Sequence, residues 1–185
     1  MILGKIFRGI DIRKEGTTNA GASNAVIVMG WKLGVATFII DMLKAAGAMW
    51  LVKYLTNGNT DMAVLAGVMA MIGHIYPVFL RFKGGKGIAS IMGIMVGLNG
   101  YIAIVLYLAI IITTVVTNYL VLGELVILIL FPIAVYLLGY SNFAVIMILF
   151  ACILSAYKLR ENFSRTFKGT EAKLSDVFKK KKIGE

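Results

Sequence analysis

Long apolar segments, separated only by short polar turns, follow one another from Leu33 to Tyr157. Hydrophobic residues make up 59% of the 185 residues and charged residues 15%, whereas an ordinary soluble domain has about 45–50% and about 25%. In the roughly 30 Å hydrocarbon core of a bilayer, only helices and closed barrels satisfy their backbone groups. The sequence therefore predicts an all-α polytopic membrane helix bundle without a separate soluble domain.

The apolar segments are six in number. They cover about residues 33–55, 62–80, 88–98, 101–116, 122–138 and 143–157. The third is too short to span a bilayer unaided, and Asn-Gly turns at Asn57 and Asn99 separate neighbouring segments. Residues 1–32 are more polar, and their glycine, Asx and threonine content favours turns. We predict a single membrane domain over 1–157 and a basic tail over 158–185, whose first part, to about 171, belongs to the functional site.

The cations gather in three stretches of the chain. Of 19 Lys and Arg, five lie in residues 1–32, three in 81–86 and nine from residue 158 onward, including Lys179–Lys182. Six crossings place all three stretches on one side, which the positive-inside rule makes cytoplasmic. The net charge of +10 then faces lipid headgroups and anionic substrates rather than nucleic acid. We expect a multi-pass protein of the plasma membrane with a cytoplasmic N-terminal loop and C-terminal tail.

The glycine-rich turn Lys83-Gly84-Gly85-Lys86-Gly87 is the strongest candidate for a binding site. Glycines let backbone N–H groups approach a ligand closely, and successive N–H groups next to a helix start form an anion site. The spacing of a P-loop is absent. A plain basic turn between two membrane helices is the alternative.

A second candidate is the loop over residues 11–24, which offers Arg13 together with the amides of Asn19 and Asn24 and the backbone at Gly21. These groups suit an oxyanion, but from this loop alone an ordinary helix-capping turn is the simpler interpretation.

Three ionisable residues lie in the apolar segments near the glycine-rich turn. Asp41 and Lys44 are three positions apart on one predicted helix face, so they can pair, either as a structural staple or as part of a site. His74 is the single histidine of the chain and precedes the turn; it acts either as a base or as an interfacial residue. With one histidine and an isolated Cys152, a metal cage is not expected.

Several motifs, in order along the chain, match one known family. They are Gly9-Ile10-Asp11-Ile12-Arg13, Gly16-x-x-Asn19-x-Gly21-Ala22-x-Asn24, Asp41-x-x-Lys44, Gly73-His74-x-x-Pro77-x-x-x-x-Phe82-Lys83-Gly84-Gly85-Lys86-Gly87, Arg160-Glu161-Asn162 and Lys168-Gly169-Thr170-Glu171. The chain resembles the bacterial membrane glycerol-3-phosphate acyltransferases that use acyl phosphate, the PlsY family. The resemblance implies a seven-helix fold and transfer of a fatty acyl group from acyl phosphate to the 1-hydroxyl of glycerol 3-phosphate, which yields lysophosphatidic acid and phosphate.

The resemblance also implies the site residues and partners. Catalytic roles fall on Lys86, His74 and Asn162. Phosphate binding falls on Lys83, Gly84, Gly85, Gly87, Arg13, Thr17, Asn19, Gly21, Asn24 and Arg160. The expected partners are glycerol 3-phosphate, acyl phosphate and membrane lipid, and no nucleic acid is expected. Because acyl phosphate is already an activated acyl donor, no metal or cofactor is expected either.

The chain departs from the family pattern at several places. Ile27 stands where an arginine is usual, Val121 and Glu124 where serines are usual, and Leu159 where a histidine is usual. The family's opening helix, with a Gly-Ser-Ile-Pro-like motif, is expected to be absent or to precede the given start. These departures leave a non-catalytic or substrate-shifted paralogue that binds phosphorylated lipid precursors as the alternative. An anion transporter fits less well, because the polar residues gather at one face.

Overall fold

The structure is a computed structural model that describes residues 2–176. Within this range the chain is helical and contains no β-strand. Its α-helices are α1 (Ile2–Arg8), α2 (Ala22–Met29), α3 (Trp31–Leu55), α4 (Thr60–Ile75), α5 (Ile88–Leu98), α6 (Gly100–Thr117), α7 (Leu120–Leu137) and α8 (Asn142–Phe167), and 3-10 turns lie at Ile12–Lys14 and Val78–Leu80. The predicted all-α class is confirmed. The lysine run Lys179–Lys182 lies outside the described residues.

Five helical segments of the described chain are long and apolar enough to cross a membrane. They are Trp31–Leu55, Thr60–Leu80, Gly100–Thr117, Leu120–Leu137 and Asn142–Phe167. The shorter α5 has 11 residues and therefore a length of about 16 Å, so it does not cross a bilayer alone. The membrane-bundle character is confirmed, whereas six crossings and their orientation stay predictions.

The first of two compact units covers Met1–Leu98 and contains the helices that carry the glycine-rich turn. Helix α5 packs against both α3 and α4, and it approaches α3 closely through glycines. A Cβ atom at Gly93 would overlap the carbonyl oxygen of Met42, and one at Gly97 would lie 2.8 Å from Sδ of Met49. Small residues let helices approach in this way in membranes, so α5 is held as a buried element.

The second unit covers Asn99–Glu185, and in it α7 packs against both α6 and α8. Asn118 closes α6 in the left-handed region with φ of 64°. Its side chain binds residue 175 twice, since Nδ2 donates to Ser175 Oγ at 3.0 Å and Oδ1 accepts from Ser175 N–H at 2.9 Å. The chain after α8 is thereby fastened to the α6–α7 turn.

Two boundaries differ from the sequence predictions. Helix α8 ends at Phe167 and not at Tyr157, so the prediction that residues 160–162 lie beyond the last helix is wrong. Hydropathy marks where the membrane ends, and strong helix formers such as Leu, Lys, Arg and Glu continue the helix past that point. The opening stretch was predicted as turns, but residues 22–29 form α2, where Ala25 and Met29 are buried.

Candidate active site

The glycine-rich turn folds back onto the last turn of α4. The Gly84 N–H donates to the carbonyl of Ile75 at 3.1 Å, and the Gly85 N–H donates to the carbonyl of His74 at 3.2 Å. Both bonds satisfy carbonyls that a helix C-terminus leaves without an intrahelical partner. We expected these two N–H groups to face an anion, but in the structure they are bonded to α4.

Close packing, and not backbone flexibility, requires glycine at both positions. A Cβ atom at Gly84 would overlap the carbonyl oxygen of His74 and lie 2.7 Å from that of Ile75. A Cβ atom at Gly85 would overlap Nε2 of the His74 ring. The turn thus lies directly against the end of α4 and the histidine ring.

His74 joins the predicted pair of Asp41 and Lys44 to form a three-residue cluster. The Lys44 Nζ is 2.6 Å from Asp41 Oδ1 and 2.6 Å from His74 Nδ1. The Asp41 Oδ1 is 3.3 Å from the same histidine nitrogen. The Asp41 and His74 side chains are 14% and 9% exposed, whereas the Lys44 side chain is 35% exposed, so the carboxylate and the imidazole are shielded while the lysine reaches solvent.

A cavity of about 300 Å³ lies beside this cluster. Its lining combines α3, α4, the glycine-rich turn and the loop before α2: Leu3, Ala20, Thr37, Ile40, Asp41, Lys44, Gly73, His74, Pro77, Phe79, Leu80, Gly84 and Gly85. The predicted residues His74, Gly84 and Gly85 therefore share one cavity. Thr37 and Ala20 were not predicted, because a single small residue in an apolar or loop segment gives no signal.

The loop over residues 11–24 is organised by Asn24, which is completely buried. Its Oδ1 accepts from the Thr17 N–H at 2.7 Å, and its Nδ2 contacts the carbonyls of Ile12 and Asn19 at 2.6 and 2.8 Å. Another Asx residue closes the loop's end, since Asn19 Oδ1 accepts from the Gly21 N–H at 3.0 Å. The polar atoms of Asn24 thus hold the loop together and do not point to a ligand.

The two loops meet at their glycines. A Cβ atom placed on Gly21 would lie 4.0 Å from the Cα of Gly85, which is ordinary contact distance. The structure therefore brings the two candidate anion-binding loops of the first unit together. Thr17 and Lys83 are exposed, and Lys86 is half-buried.

Arg13 is engaged within its own loop. Its Nε and Nη2 donate to the two carboxylate oxygens of Asp11 at 3.0 and 2.6 Å, and Nη1 donates to the carbonyl of Leu80 at 3.4 Å. The hydrogen bonds from Arg13 hold the pKa of Asp11 well below its usual range, and the carboxylate raises the pKa of Arg13. Arg13 links the loop to the segment that precedes the glycine-rich turn.

The remaining predicted residues lie on α8 in the second unit. The guanidinium of Arg160 lies 4.2 Å from the centre of the Tyr157 ring and donates to its carbonyl at 3.1 Å. Asn162 is buried, and its Nδ2 donates to Glu171 Oε1 at 2.8 Å. Glu171 also accepts from Arg165 Nε at 2.7 Å, so the carboxylate orients Asn162. Glu171 belongs to one of the sequence motifs, but its hydrogen bond to Asn162 was not predicted.

Comparison with known proteins identifies the family. The family profile described as glycerol-3-phosphate acyltransferase matches residues 1–169. The chain belongs to the glycerol-3-phosphate acyltransferase family. The glycerol-3-phosphate acyltransferase 1 of Oceanobacillus iheyensis is 38% identical over 97% of this chain and 89% of its own length. The enzyme of Rhizobium etli (strain CFN 42) is also 38% identical, over 89% of this chain and 78% of its own length.

Solved structures of the same family have the same fold. PlsY (YgiH), an integral membrane glycerol 3-phosphate acyltransferase, in its glycerol 3-phosphate form superposes with a TM-score of 0.85 and 28% identity, over 93% of this chain and 86% of PlsY. Its lysophosphatidic acid form gives a TM-score of 0.82 and 29% identity, over 95% and 93%. The predicted membership of the PlsY family is confirmed.

The positions at which this family member departs from the expected pattern differ in exposure. Ile27 is 48% exposed on α2. Val121 and Glu124 are buried on α7, and Leu159 is completely buried on α8. Leucine at position 159 is therefore enclosed within the protein, and Glu124 is an unusual buried carboxylate for a membrane helix.

Proposed function

We propose that this acyltransferase moves a fatty acyl group from acyl phosphate to the 1-hydroxyl of glycerol 3-phosphate. The match to the family over residues 1–169 carries the proposal. The contact between the loops at Gly21 and Gly85, and the cavity beside His74, support a proposed site in the first unit. The solved PlsY forms bind glycerol 3-phosphate and lysophosphatidic acid, which are the acceptor and product of this reaction.

The reaction needs little from the protein beyond positioning and charge. The hydroxyl oxygen of glycerol 3-phosphate bonds to the acyl carbonyl carbon, the carbon–oxygen bond to phosphate breaks, and the hydroxyl proton leaves with the phosphate. Both substrates carry phosphate, so lysine ammonium groups are suitable donors, and charge-assisted hydrogen bonds of this kind are worth about 1.5–3 kcal/mol each. Lys83 and Lys86, on either side of the paired glycines, are proposed to supply them.

The remaining roles follow the sequence predictions. Asn19, Gly21 and Asn24 are proposed to shape the loop over residues 11–24 and Arg13 to orient it. The hydrogen bonds inside this loop, and the bond from Arg13 to Leu80, support these roles. Arg160 and Asn162 stay predicted site residues of the second unit. The basic stretches of residues 1–32 and 81–86 support placing these loops at the cytoplasmic face of the plasma membrane.

Acyl transfer by the purified full chain tests the proposal. Palmitoyl phosphate and labelled glycerol 3-phosphate are supplied in detergent or in vesicles, and labelled lysophosphatidic acid is measured. Lys86→Ala is expected to lower kcat/KM by at least about 100-fold, the effect of losing one electrostatic donor to a developing charge. Lys53→Ala, at the far end of α3, is the matched control and should retain activity.

The outcomes separate the proposal from its alternative. Product that depends on Lys86 supports the acyltransferase and means that Ile27, Val121, Glu124 and Leu159 are tolerated. A folded protein that binds glycerol 3-phosphate without forming product would instead favour the paralogue that only binds phosphorylated precursors.

A further inference from the structure

The protonation of His74 follows from its contact with Lys44. We propose that Lys44, held by Asp41, fixes His74 as a neutral imidazole with its proton on Nε2, so that His74 donates a hydrogen bond to the phosphorylated substrate and does not act as a base. The ligand's identity rests on the proposed function, whereas the protonation state does not. The inference replaces the hypothesis that His74 is a general base.

The donor inventory of the cluster decides which nitrogen carries the proton. A lysine ammonium has three N–H donors and no acceptor. The 2.6 Å contact between Lys44 Nζ and His74 Nδ1 therefore requires a lone pair on Nδ1. A neutral imidazole with a lone pair on Nδ1 carries its proton on Nε2.

Asp41 keeps the lysine in this arrangement. Its Oδ1 accepts from Lys44 Nζ at 2.6 Å but is 3.3 Å from His74 Nδ1. The carboxylate oxygen therefore lies closer to the Lys44 ammonium than to the His74 ring. The Lys44 ammonium thus contacts both Asp41 Oδ1 and His74 Nδ1. These contacts hold the imidazole ring in place at Nδ1.

The other edge of the ring faces the glycine-rich turn. Nε2 lies against Gly85, where a Cβ atom would overlap it, and His74 lines the cavity of about 300 Å³. The contacts of His74 with Lys44 and Asp41 are made through Nδ1 and not through Nε2. An N–H at this position can donate to a phosphate or carbonyl oxygen in the cavity, but it has no lone pair with which to remove a hydroxyl proton.

The single histidine of the chain makes the protonation state directly measurable. Nitrogen-15 NMR of the full-length protein, labelled at histidine and carrying no histidine tag, gives one pair of imidazole signals. At neutral pH the proposal expects Nδ1 to resonate as an unprotonated, pyridine-type nitrogen and Nε2 as a protonated, pyrrole-type nitrogen. A protonated Nδ1, alone or together with Nε2, would overturn it.

Removing the ammonium should reverse the tautomer. In Lys44→Met the partner left to Nδ1 is Asp41 Oδ1, which can only accept, so the proton is expected to move to Nδ1. Lys53→Met, on the same helix, is the matched control and should leave the spectrum unchanged. If Lys44→Met gives the wild-type spectrum, Lys44 does not set the tautomer and the proposal fails.

Activity separates a donor from a base. In His74→Gln the side-chain amide can still donate from a position close to Nε2 but cannot act as a base, whereas His74→Leu can do neither. The proposal expects kcat of the glutamine variant to exceed that of the leucine variant by at least tenfold, or about 1.4 kcal/mol. Equal loss in both variants would contradict the donor role. If the wild-type protein transfers no acyl group, the proposed function fails, while the NMR spectrum still decides the tautomer.

Discussion

Replacing Gly84 with alanine tests whether the glycine-rich turn works through its packing on α4. The added Cβ atom would overlap the carbonyl oxygen of His74 and lie 2.6 Å from Cδ of Pro77. Both obstacles belong to fixed parts of the chain and not to the end of a flexible side chain, so the turn must move away. Moving it breaks the two hydrogen bonds that Gly84 and Gly85 donate to α4.

The size of the effect follows from those two bonds. Each contributes about 0.5–1.5 kcal/mol net, so Gly84→Ala should destabilise the seated turn by about 1–3 kcal/mol. This corresponds to a fall of about 5- to 140-fold in the equilibrium ratio of seated to displaced turn. Since the turn carries Lys83 and Lys86, we expect kcat/KM for acyl phosphate to fall by up to the same factor.

A second glycine provides the control. Gly47 lies inside α3, and a Cβ atom there would meet nothing within 4 Å, so Gly47→Ala should gain up to about 1 kcal/mol of helix stability. Acyl transfer and thermal unfolding are measured for both variants. Wild-type activity and unfolding temperature in Gly84→Ala would refute the packing argument, as would an equal loss in Gly47→Ala.

Three further substitutions test local contacts. Asn24→Ala removes the buried amide that holds the loop over residues 11–24 together and leaves carbonyls unpaired, so thermal unfolding should show a loss of about 1–3 kcal/mol. Glu171→Gln exchanges one carboxylate acceptor for a donor and should lower kcat by releasing Asn162, with KM for acyl phosphate less affected. Asp11→Asn removes the partner of Arg13. Because the folded pKa of Asp11 is depressed, its stabilisation is complete above the usual carboxyl pKa of about 3.9 and is lost at lower pH. The difference in unfolding temperature between this variant and wild type should therefore shrink from about pH 5 to about pH 2.

The sequence was sufficient to predict the fold class and the pairing of Asp41 with Lys44. Apolar runs predict helices directly, because a backbone in hydrocarbon must satisfy its hydrogen bonds internally. The spacing of Asp41 and Lys44 correctly predicted their pairing, since residues three apart share a helix face. Contacts between residues a few positions apart could therefore be predicted from the sequence.

Contacts that depend on how the helices pack could not be predicted from the sequence. His74 is 30 residues from Lys44, and only the packing of α3 against α4 brings its Nδ1 to the ammonium. Nor does the sequence tell whether Asn24 faces a ligand or its own loop, because amides serve both purposes. The end of α8 was misplaced because hydropathy reports the membrane boundary, whereas helix formation continues into polar residues.

The glycine-rich turn could be located from the sequence, but its contacts depend on how it packs against α4. Its composition suggested a flexible cradle of N–H groups, but Gly84 and Gly85 use theirs to bind α4. On the proposed function, the charge for the substrate then comes from Lys83 and Lys86, whose backbone positions are fixed by the glycines between them. A donor fixed before the substrate binds needs no reorganisation during the reaction, which is how preorganised sites stabilise developing charge. On the proposed function, the glycines would therefore serve catalysis by holding the turn against the end of α4 and the His74 ring.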